Sequence, residues 1–211
     1  MTVGPTPSLH DRAREAAAFL RAETGVSPRC GIILGTGLGG LAARIAGART
    51  VPYERIPHFA RTGVEGHAGR VVAGRIGPTA VVALEGRFHA YEGHPLETVT
   101  FPVRVVRAMG ADTLVVSNAC GGMNPQYAAG DLMVIEDHIN LMGINPLTGP
   151  NDDRLGPRFP DMSAPYDRGL IARALSAALE ERIRCHAGVY VAVAGPNLET
   201  RAEYRFLRAI G

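Results

Sequence analysis

Residues 70–86 read RVVAGRIGPTAVVALEG. Two apolar segments with the composition of β-strands, 70–76 and 79–85, are separated there only by Gly77 and Pro78. A connection of two residues is too short to hold a helix, so the two strands are predicted to be antiparallel neighbours. The stretch therefore predicts a sheet with at least one antiparallel pair.

Outward from this pair, apolar strand-like segments alternate with helical ones. Further strands are predicted at 30–35, 113–119, 131–137 and 188–195, and helices at 8–24, 97–110 and 163–183. The last helix is predicted to open at Ser163, with Pro165 in its first turn. The alternation predicts an α/β fold, a single domain over residues 1–211 with a mixed β-sheet flanked by helices. The stretch 142–160, rich in Gly, Pro, Asn and Asp, is predicted to be a lid or a subunit contact.

Composition restricts the partners and the compartment. The chain has 22 basic and 20 acidic residues, a net charge of +2, which argues against nucleic acid as a partner. The three cysteines, Cys30, Cys120 and Cys185, form no CxxC pair, so we expect reduced thiols and a cytoplasmic location. No apolar run approaches the roughly 20 residues that cross a bilayer, and the N-terminus has no signal-peptide pattern. We therefore expect no membrane contact.

A glycine-rich stretch, GTGLGG at 35–40, follows the predicted strand at 30–35. Glycines there let backbone N–H groups face an anion. The stretch also matches the GxGxxG pattern of dinucleotide-binding proteins, with Glu54 lying 19 residues after Gly35. Two prolines in 51–59 disfavour that fold, because its second buried strand would lie there. An anion site and a tight turn without ligand both stay open.

The segment 86–95, GRFHAYEGHP, comes directly after the predicted strand at 79–85. Arg87 and His89 lie two residues apart, so in an extended chain both side chains can point the same way. A guanidinium and an imidazole together suit an oxyanion. A surface ion pair for Arg87 and a structural role for His67 stay open, and a metal site is disfavoured because no Asp, Glu or Cys set accompanies the histidines.

Two later strands also end in residues that suit a ligand. Small residues in 117–125, SNACGGMNP, allow a ligand to approach the backbone, although close helix packing would use them equally well. In 194–204, AGPNLETRAEY, Thr200 and Glu203 have the spacing of a helix capping box. The capping box does not account for Glu199, which is either a solvated acid or an acceptor for N–H donors of a ligand.

Taken in order, these motifs resemble the trimeric purine nucleoside phosphorylases along nearly the whole chain. The matching segments are GTGLGGL, GHAGR, GRFHAYEGHP, TFPVRV, SNACGG, DHIN, NPLTGPND, FPDMSAPYD and AGPNLET. The resemblance implies a homotrimer that cleaves inosine, guanosine and their deoxy forms with phosphate, giving the free purine and the sugar 1-phosphate. It implies no metal and no cofactor, since inorganic phosphate is a co-substrate.

The resemblance also implies a role for particular residues, with His89 and Glu199 as the catalytic pair. Phe159 would reach the ribose of a neighbouring subunit, and Arg70 would lie in the loop near the phosphate. The residues implied to bind phosphate are Thr36, His67, Arg87, Phe88, His89 and Ala119. Those implied to bind the nucleoside are Tyr91, Cys120, Gly121, Phe159, Tyr190, Val193, Leu198 and Glu199.

Compared with that family, we expect the C-terminal part of the domain to be absent. The family continues into strands and a helix that carry a further serine, a methionine, an asparagine and a histidine of the site. Three other functions stay open. Thr36 and Cys120 are reminiscent of methylthioadenosine phosphorylases, the expected absence leaves room for a non-catalytic purine-binding protein, and the glycine pattern alone supports a nicotinamide oxidoreductase.

Overall fold

The computed structural model of the chain describes residues 7–60 and 68–211. Its contacts group into two compact units, Met1–Ala119 with Pro146–Arg158, and Cys120–Asn145 with Phe159–Gly211. Both units combine strands and helices, and the larger sheet is mixed, so the predicted fold class is confirmed. A single domain over residues 1–211 stays a prediction.

The first unit is built on a five-stranded sheet. Its strands are β1 (Cys30–Leu34), β2 (Ala46–Pro52), β3 (Arg70–Ile76), β4 (Thr79–Glu85) and β5 (Thr113–Val116), in the order β2-β3-β4-β1-β5. β3 is antiparallel to β2 and β4, whereas β1 is parallel to β4 and β5. The antiparallel pair predicted around Gly77 and Pro78 is confirmed. Because β4, β1 and β5 run in the same direction, their carboxyl ends lie at one edge of the sheet.

Helices cover the sheet because its central strands are apolar on both faces. Ile33 of β1 belongs to one buried cluster with α1 (Leu9–Thr24) and α2 (Leu96–Ala108). Its neighbours Ile32 and Leu34 belong to a second cluster, which includes Ala42 of the 3-10 helix Gly39–Arg44. Successive residues of a strand point to opposite faces, so a continuous apolar run such as β1 indicates a strand buried on both.

Side-chain and glycine caps set the limits of α1. The Ser8 hydroxyl accepts a hydrogen bond from the Asp11 N–H at 3.1 Å, and Gly25 ends the helix at φ 68°. The predicted limits of this helix are confirmed. Arg154 then attaches Pro146–Arg158 to the same cap, donating to the Ser8 hydroxyl at 2.8 Å and to the Asp11 carboxylate at 3.2 Å.

β2 is a strand that the sequence did not predict. It follows the 3-10 helix Gly39–Arg44 directly and runs antiparallel to β3. Residues 46–50 are exposed at the sheet edge and lack apolar alternation, which explains the omission. A dinucleotide-binding unit needs an α-helix and a parallel second strand at this point, so the topology contradicts the nicotinamide oxidoreductase hypothesis.

The second unit is built on two parallel strands. Its elements are β6 (Leu132–Asn140), α3 (Arg168–Glu180), β7 (Cys185–Ala192) and α4 (Arg201–Ala209). The predicted start of α3 at Ser163 is wrong. Asp167 caps the helix by accepting from the Leu170 N–H at 2.8 Å, whereas Ser163 hydrogen-bonds to Asp161. The polar turn at Asp161 keeps this serine outside the helix.

Within residues 7–60 and 68–211, no helix is long and apolar enough to cross a membrane. Cys30, Cys120 and Cys185 are free thiols, as predicted. Burial raises the pKa of the Cys30 thiol, and the nearby Asp112 carboxylate acts in the same direction, so both favour the thiol over the thiolate.

Candidate active site

Ser117 connects the loops that follow β1, β4 and β5. Its hydroxyl donates to the Ile33 carbonyl at 3.1 Å and accepts from the Gly35 N–H at 3.0 Å. Its own carbonyl accepts from Arg87 Nη1 at 3.0 Å. These bonds fix the ends of three strands relative to one another. The sequence indicated only that small residues follow β5, so the role of Ser117 was missed.

Gly35 allows the loop after β1 to lie against the end of β5. A Cβ at this position would be 2.6 Å from the Ser117 carbonyl oxygen and 2.7 Å from Cα of Asn118. Both are backbone atoms and cannot rotate away. The first glycine of the predicted anion loop is therefore required by the packing of two backbones, and the next residue, Thr36, is exposed at the same edge.

The loop after β4 is attached to the core by Tyr53 and Phe88. Gly86 adopts φ 129°, and its carbonyl accepts a hydrogen bond from the Tyr53 hydroxyl at 2.8 Å. Burial raises the pKa of Tyr53, so the phenol stays a donor. Phe88 is 4% exposed, with its ring centroid 5.6 Å from that of Tyr53. Its side chain belongs to the core, so only the Phe88 backbone is left for the phosphate role predicted from the resemblance.

His89 is oriented by a carboxylate that the sequence did not indicate. Glu92 Oε1 lies 3.0 Å from His89 Nδ1 and accepts from the His89 main-chain N–H at 2.8 Å. Partial burial acts to raise the pKa of Glu92, but the hydrogen bonds from His89 outweigh it and keep that pKa below its usual value. The Tyr91 ring stacks on the imidazole, with centroids 4.8 Å apart. A carboxylate on Nδ1 favours the form of His89 that carries a proton there.

The other predicted phosphate residues have different surroundings. Ala119 is exposed beyond the end of β5, and its carbonyl accepts from the Asn118 amide at 3.1 Å. Arg70 is the first residue of β3 and forms an ion pair with Glu85. That pairing supplies a structural role for Arg70 besides the predicted one. His67 lies outside the described residues.

In the second unit, Tyr190 lies on β7 directly opposite His138 on β6. His138 Nδ1 is 3.1 Å from the Tyr166 hydroxyl, and the two rings meet edge to face. Burial raises the pKa of Tyr166, and Asp137 and Tyr190 add to the effect. The predicted base-lining Tyr190 is therefore part of a cluster of aromatic and imidazole rings.

Glu199 lies immediately before α4. Thr200 caps this helix and forms the predicted capping box, with Thr200 N–H to Glu203 at 2.6 Å and Glu203 N–H to the Thr200 hydroxyl at 3.2 Å. Glu199 is half-buried, and its side chain raises the pKa of the Tyr204 phenol. Leu198, beside it, is 82% exposed. The turn thus places one apolar and one acidic side chain next to each other.

The predicted site residues therefore form two groups, one in each compact unit. The first group contains Thr36, Arg87, His89, Tyr91 and Ala119, and the second contains Cys120, Gly121, Phe159, Tyr190, Val193, Leu198 and Glu199. The first carries a guanidinium, an imidazole and a hydroxyl, which are donors for an oxyanion. The second carries apolar and aromatic surface with one carboxylate, which suits an apolar ring bearing N–H groups. Across the described residues, no three His, Cys, Asp or Glu side chains form a group that could hold a metal.

Comparison with known proteins gives the family. A model of the phosphorylase superfamily matches residues 29–211. Purine nucleoside phosphorylase 1 of Bacillus subtilis (strain 168) is 51% identical over 203 residues, which cover 96% of this chain and 75% of that protein. The chain belongs to the purine nucleoside phosphorylase family. The mouse purine nucleoside phosphorylase is also 48% identical over 200 residues, which cover 92% of this chain and 69% of the mouse protein.

Solved structures of the family agree with the fold. A purine nucleoside phosphorylase in complex with ribose 1-phosphate superposes with a TM-score of 0.92 at 40% identity, over 98% of this chain and 78% of that one. Isoform 2 from Schistosoma mansoni, in complex with cytosine and ribose 1-phosphate, gives 0.91 at 39% identity, over 98% and 75%. The resemblance found in the sequence is confirmed, and membership makes the chain a pentosyltransferase.

Proposed function

We propose that this chain cleaves inosine, guanosine and their deoxy forms with inorganic phosphate. The observation that carries the proposal is the common edge of β4, β1 and β5, where the loops bearing Arg87, His89 and Thr36 are joined through Ser117. Ligands of α/β sheets bind outside the carboxyl ends of parallel strands. This edge supplies the donors that an oxyanion needs.

The proposed reaction uses phosphate as the nucleophile. A phosphate oxygen forms a bond to C1′ as the bond from C1′ to N9 breaks. The electron pair of that bond leaves with the purine, which takes up a proton from water to become the free base. The sugar acquires positive charge on the way, and the phosphate dianion beside it stabilises that charge. Arg87 and His89 hold the phosphate in position, so their role is to orient rather than to form a covalent bond.

Glu199 supplies the contact to the leaving base in this proposal. A 6-oxopurine carries an N–H group at N1, and guanine adds an exocyclic amine, so a carboxylate can accept from one or both. Leu198, exposed beside Glu199, offers apolar surface to the ring.

Comparing two substrates and two variants tests the proposal. We expect inosine to be turned over with a kcat/KM well above that of methylthioadenosine, because N1 of adenine carries no proton to donate to Glu199. Glu199→Gln should lower kcat/KM for inosine by about tenfold to a hundredfold, because a charge-assisted bond is lost, and should change the KM for phosphate less than twofold. Glu181→Gln, at the exposed end of α3, is the matched control. A kcat/KM for methylthioadenosine above that for inosine would contradict the proposed substrate. A loss in Glu199→Gln that is as large for phosphate as for inosine would contradict the role of Glu199 in binding the base.

The proposal includes a cytoplasmic homotrimer that needs no cofactor. Phe159 is 88% exposed, which supports its predicted contact with the ribose of a neighbouring subunit. Light scattering should give three times the chain mass, and Phe159→Ala should raise the KM for inosine. A monomer with normal activity would contradict the proposed trimer.

The absence of a cofactor and the compartment need separate tests. Turnover should survive extensive treatment with a chelator, and microscopy of the tagged protein should place it in the cytoplasm.

A further inference from the structure

The loop that leads into β6, residues 120–131, is attached to its unit by a tyrosine in its middle part. Of residues 124–130, only Tyr127 is not exposed. The Tyr127 N–H donates to the Asn124 carbonyl at 3.0 Å, and Asn124 Oδ1 accepts from the Gln126 N–H, also at 3.0 Å. These two bonds close a turn, which fixes the point at which the Tyr127 side chain leaves the loop.

The Tyr127 ring packs on β7. It stacks on the His186 imidazole, with the ring centroids 4.2 Å apart and the planes 26° apart. A Cβ on Gly188 would lie 3.1 Å from the Tyr127 hydroxyl, so the glycine leaves room for the ring. Since successive side chains of a strand alternate, His186, Gly188 and Tyr190 share one face of β7. Tyr127 therefore lies on the face that carries Tyr190, which is predicted to line the base.

The imidazole under Tyr127 is held by an acid at the end of the same loop. His186 Nε2 lies 2.9 Å from Asp131 Oδ2, which also accepts from the Ala128 N–H at 2.9 Å. Hydrogen bonds from Ala128 and His186 lower the pKa of Asp131, and an ionised carboxylate only accepts. His186 Nε2 therefore carries a proton, in the neutral ring as in the charged one. Loop and strand are thus joined twice, by this bond and by the stacked rings.

Tyr127 also lies beside the first part of the loop. A Cβ on Gly122 would be 3.5 Å from Tyr127 Cβ and 3.7 Å from its Cδ2, which is ordinary van der Waals contact. Gly122 directly follows Cys120 and Gly121, two residues that the resemblance assigns to the nucleoside. Through Tyr127, the backbone of this segment is therefore connected to β7.

We propose that Tyr127 is a positioning residue for the purine base, acting by holding the backbone of residues 120–122 in place relative to β7. The inference rests on the proposed function, since it assigns a task within the same nucleoside site. Glycine has more accessible backbone conformations than any other residue, and two of these three residues are glycines. Ordering the segment before the base arrives removes an entropy cost that binding would otherwise have to meet.

Substitution of the ring tests the proposal kinetically. Tyr127→Leu should raise the KM for inosine by about threefold to tenfold, because the base must then order the loop itself. Tyr127→Phe keeps the stacking and should change this KM less than about twofold. The KM for phosphate should change little in both variants, because the phosphate loops are joined through Ser117. An unchanged KM for inosine in Tyr127→Leu, or an equal rise for phosphate, would overturn the proposal.

Asp167→Ala controls for a general loss of stability in the same unit. Asp167 caps α3 by accepting from the Leu170 N–H, so its loss should lower Tm without altering the contacts of Tyr127. We expect the KM for inosine to stay the same in this variant. A rise as large as that in Tyr127→Leu would show that lowered stability is the cause, and it would overturn the proposal.

Hydrogen exchange followed by mass spectrometry gives a test that needs no turnover. In Tyr127→Leu the amides of residues 121–131 should exchange faster, while those of β7 keep their rates and Tyr127→Phe matches the unaltered chain. Unaltered exchange of residues 121–131 in Tyr127→Leu would overturn the inference even in an active enzyme. Absence of inosine cleavage by the unaltered chain would refute the proposed function, and with it the role in base binding, whereas the exchange rates would still decide whether Tyr127 holds the loop.

Discussion

Replacing Gly35 with alanine should damage both the fold and the phosphate site. The new Cβ would lie 2.6 Å from the Ser117 carbonyl oxygen and 2.7 Å from Cα of Asn118, whereas ordinary contacts begin at 3.4 Å. The loop after β1 and the end of β5 would thus have to separate by about 0.8 Å, the difference between 3.4 and 2.6 Å. Overpacking of this kind costs about 1–3 kcal/mol.

Thermal unfolding measures this cost. In a chain of this size each kcal/mol lowers Tm by about 2–4 °C, so Gly35→Ala should lower it by about 2–12 °C. Gly40→Ala is the stability control, since a Cβ there meets nothing within 4 Å. Its Tm should stay the same or rise slightly, because alanine suits a helix better than glycine.

The same displacement should also weaken phosphate binding. It would break the hydrogen bond from the Gly35 N–H to Ser117 and shift Ser117 relative to Arg87. We expect the KM for phosphate to rise at least tenfold, because a displacement of about 0.8 Å misaligns the groups that hold the phosphate. An unaltered Tm together with an unaltered KM for phosphate would refute the assignment of Gly35 as a close-packing position of the site.

Three further outcomes are expected. Tyr53→Phe should lower the free energy of unfolding by about 1–3 kcal/mol in urea titrations, since the Gly86 carbonyl would lose a buried partner, and an unchanged midpoint would contradict this. Glu92→Ala should raise the KM for phosphate by about tenfold, and Glu92→Gln by less, because the amide oxygen can still accept from His89; equal effects would be contrary to this reasoning. Hydrogen bonding from the Arg154 guanidinium lowers the pKa of Asp152 to about 2, so this contact is fully formed above about pH 4, where the unfolded carboxyl is ionised, and is lost as pH falls through 2. Carboxyl NMR titration should show the pKa returning toward 3.8 in Arg154→Ala, and a value that stays near 2 would exclude this cause.

Features governed by neighbouring residues could be predicted from the sequence. The two-residue connection at Gly77 and Pro78 determines the pairing of β3 with β4, and Ser8 and Gly25 determine the limits of α1. The first residue of α3 was harder to predict from the sequence. Ser163 and Asp167 are both good capping residues, and the turn formed with Asp161 decides between them.

The geometry of the site depends on contacts between distant parts of the chain. Ser117 hydrogen-bonds to Gly35, which lies 82 positions earlier, and no local pattern indicates such a contact. The segment 86–95 pointed to an oxyanion site, but no pattern within it indicated that Phe88 turns inward. That orientation follows from the aromatic cluster that Tyr53 forms on the other side of the loop. Residue types could thus be predicted, and their orientations could not.

The most direct test of the central claim is the release of hypoxanthine from inosine, followed with and without phosphate. The account predicts equal amounts of hypoxanthine and ribose 1-phosphate, formed only when phosphate is present. Release of hypoxanthine at the same rate without phosphate would show hydrolysis, and no release in either condition would show that the residues around Arg87 and Glu199 do not carry out phosphorolysis. Either result would contradict the proposed function.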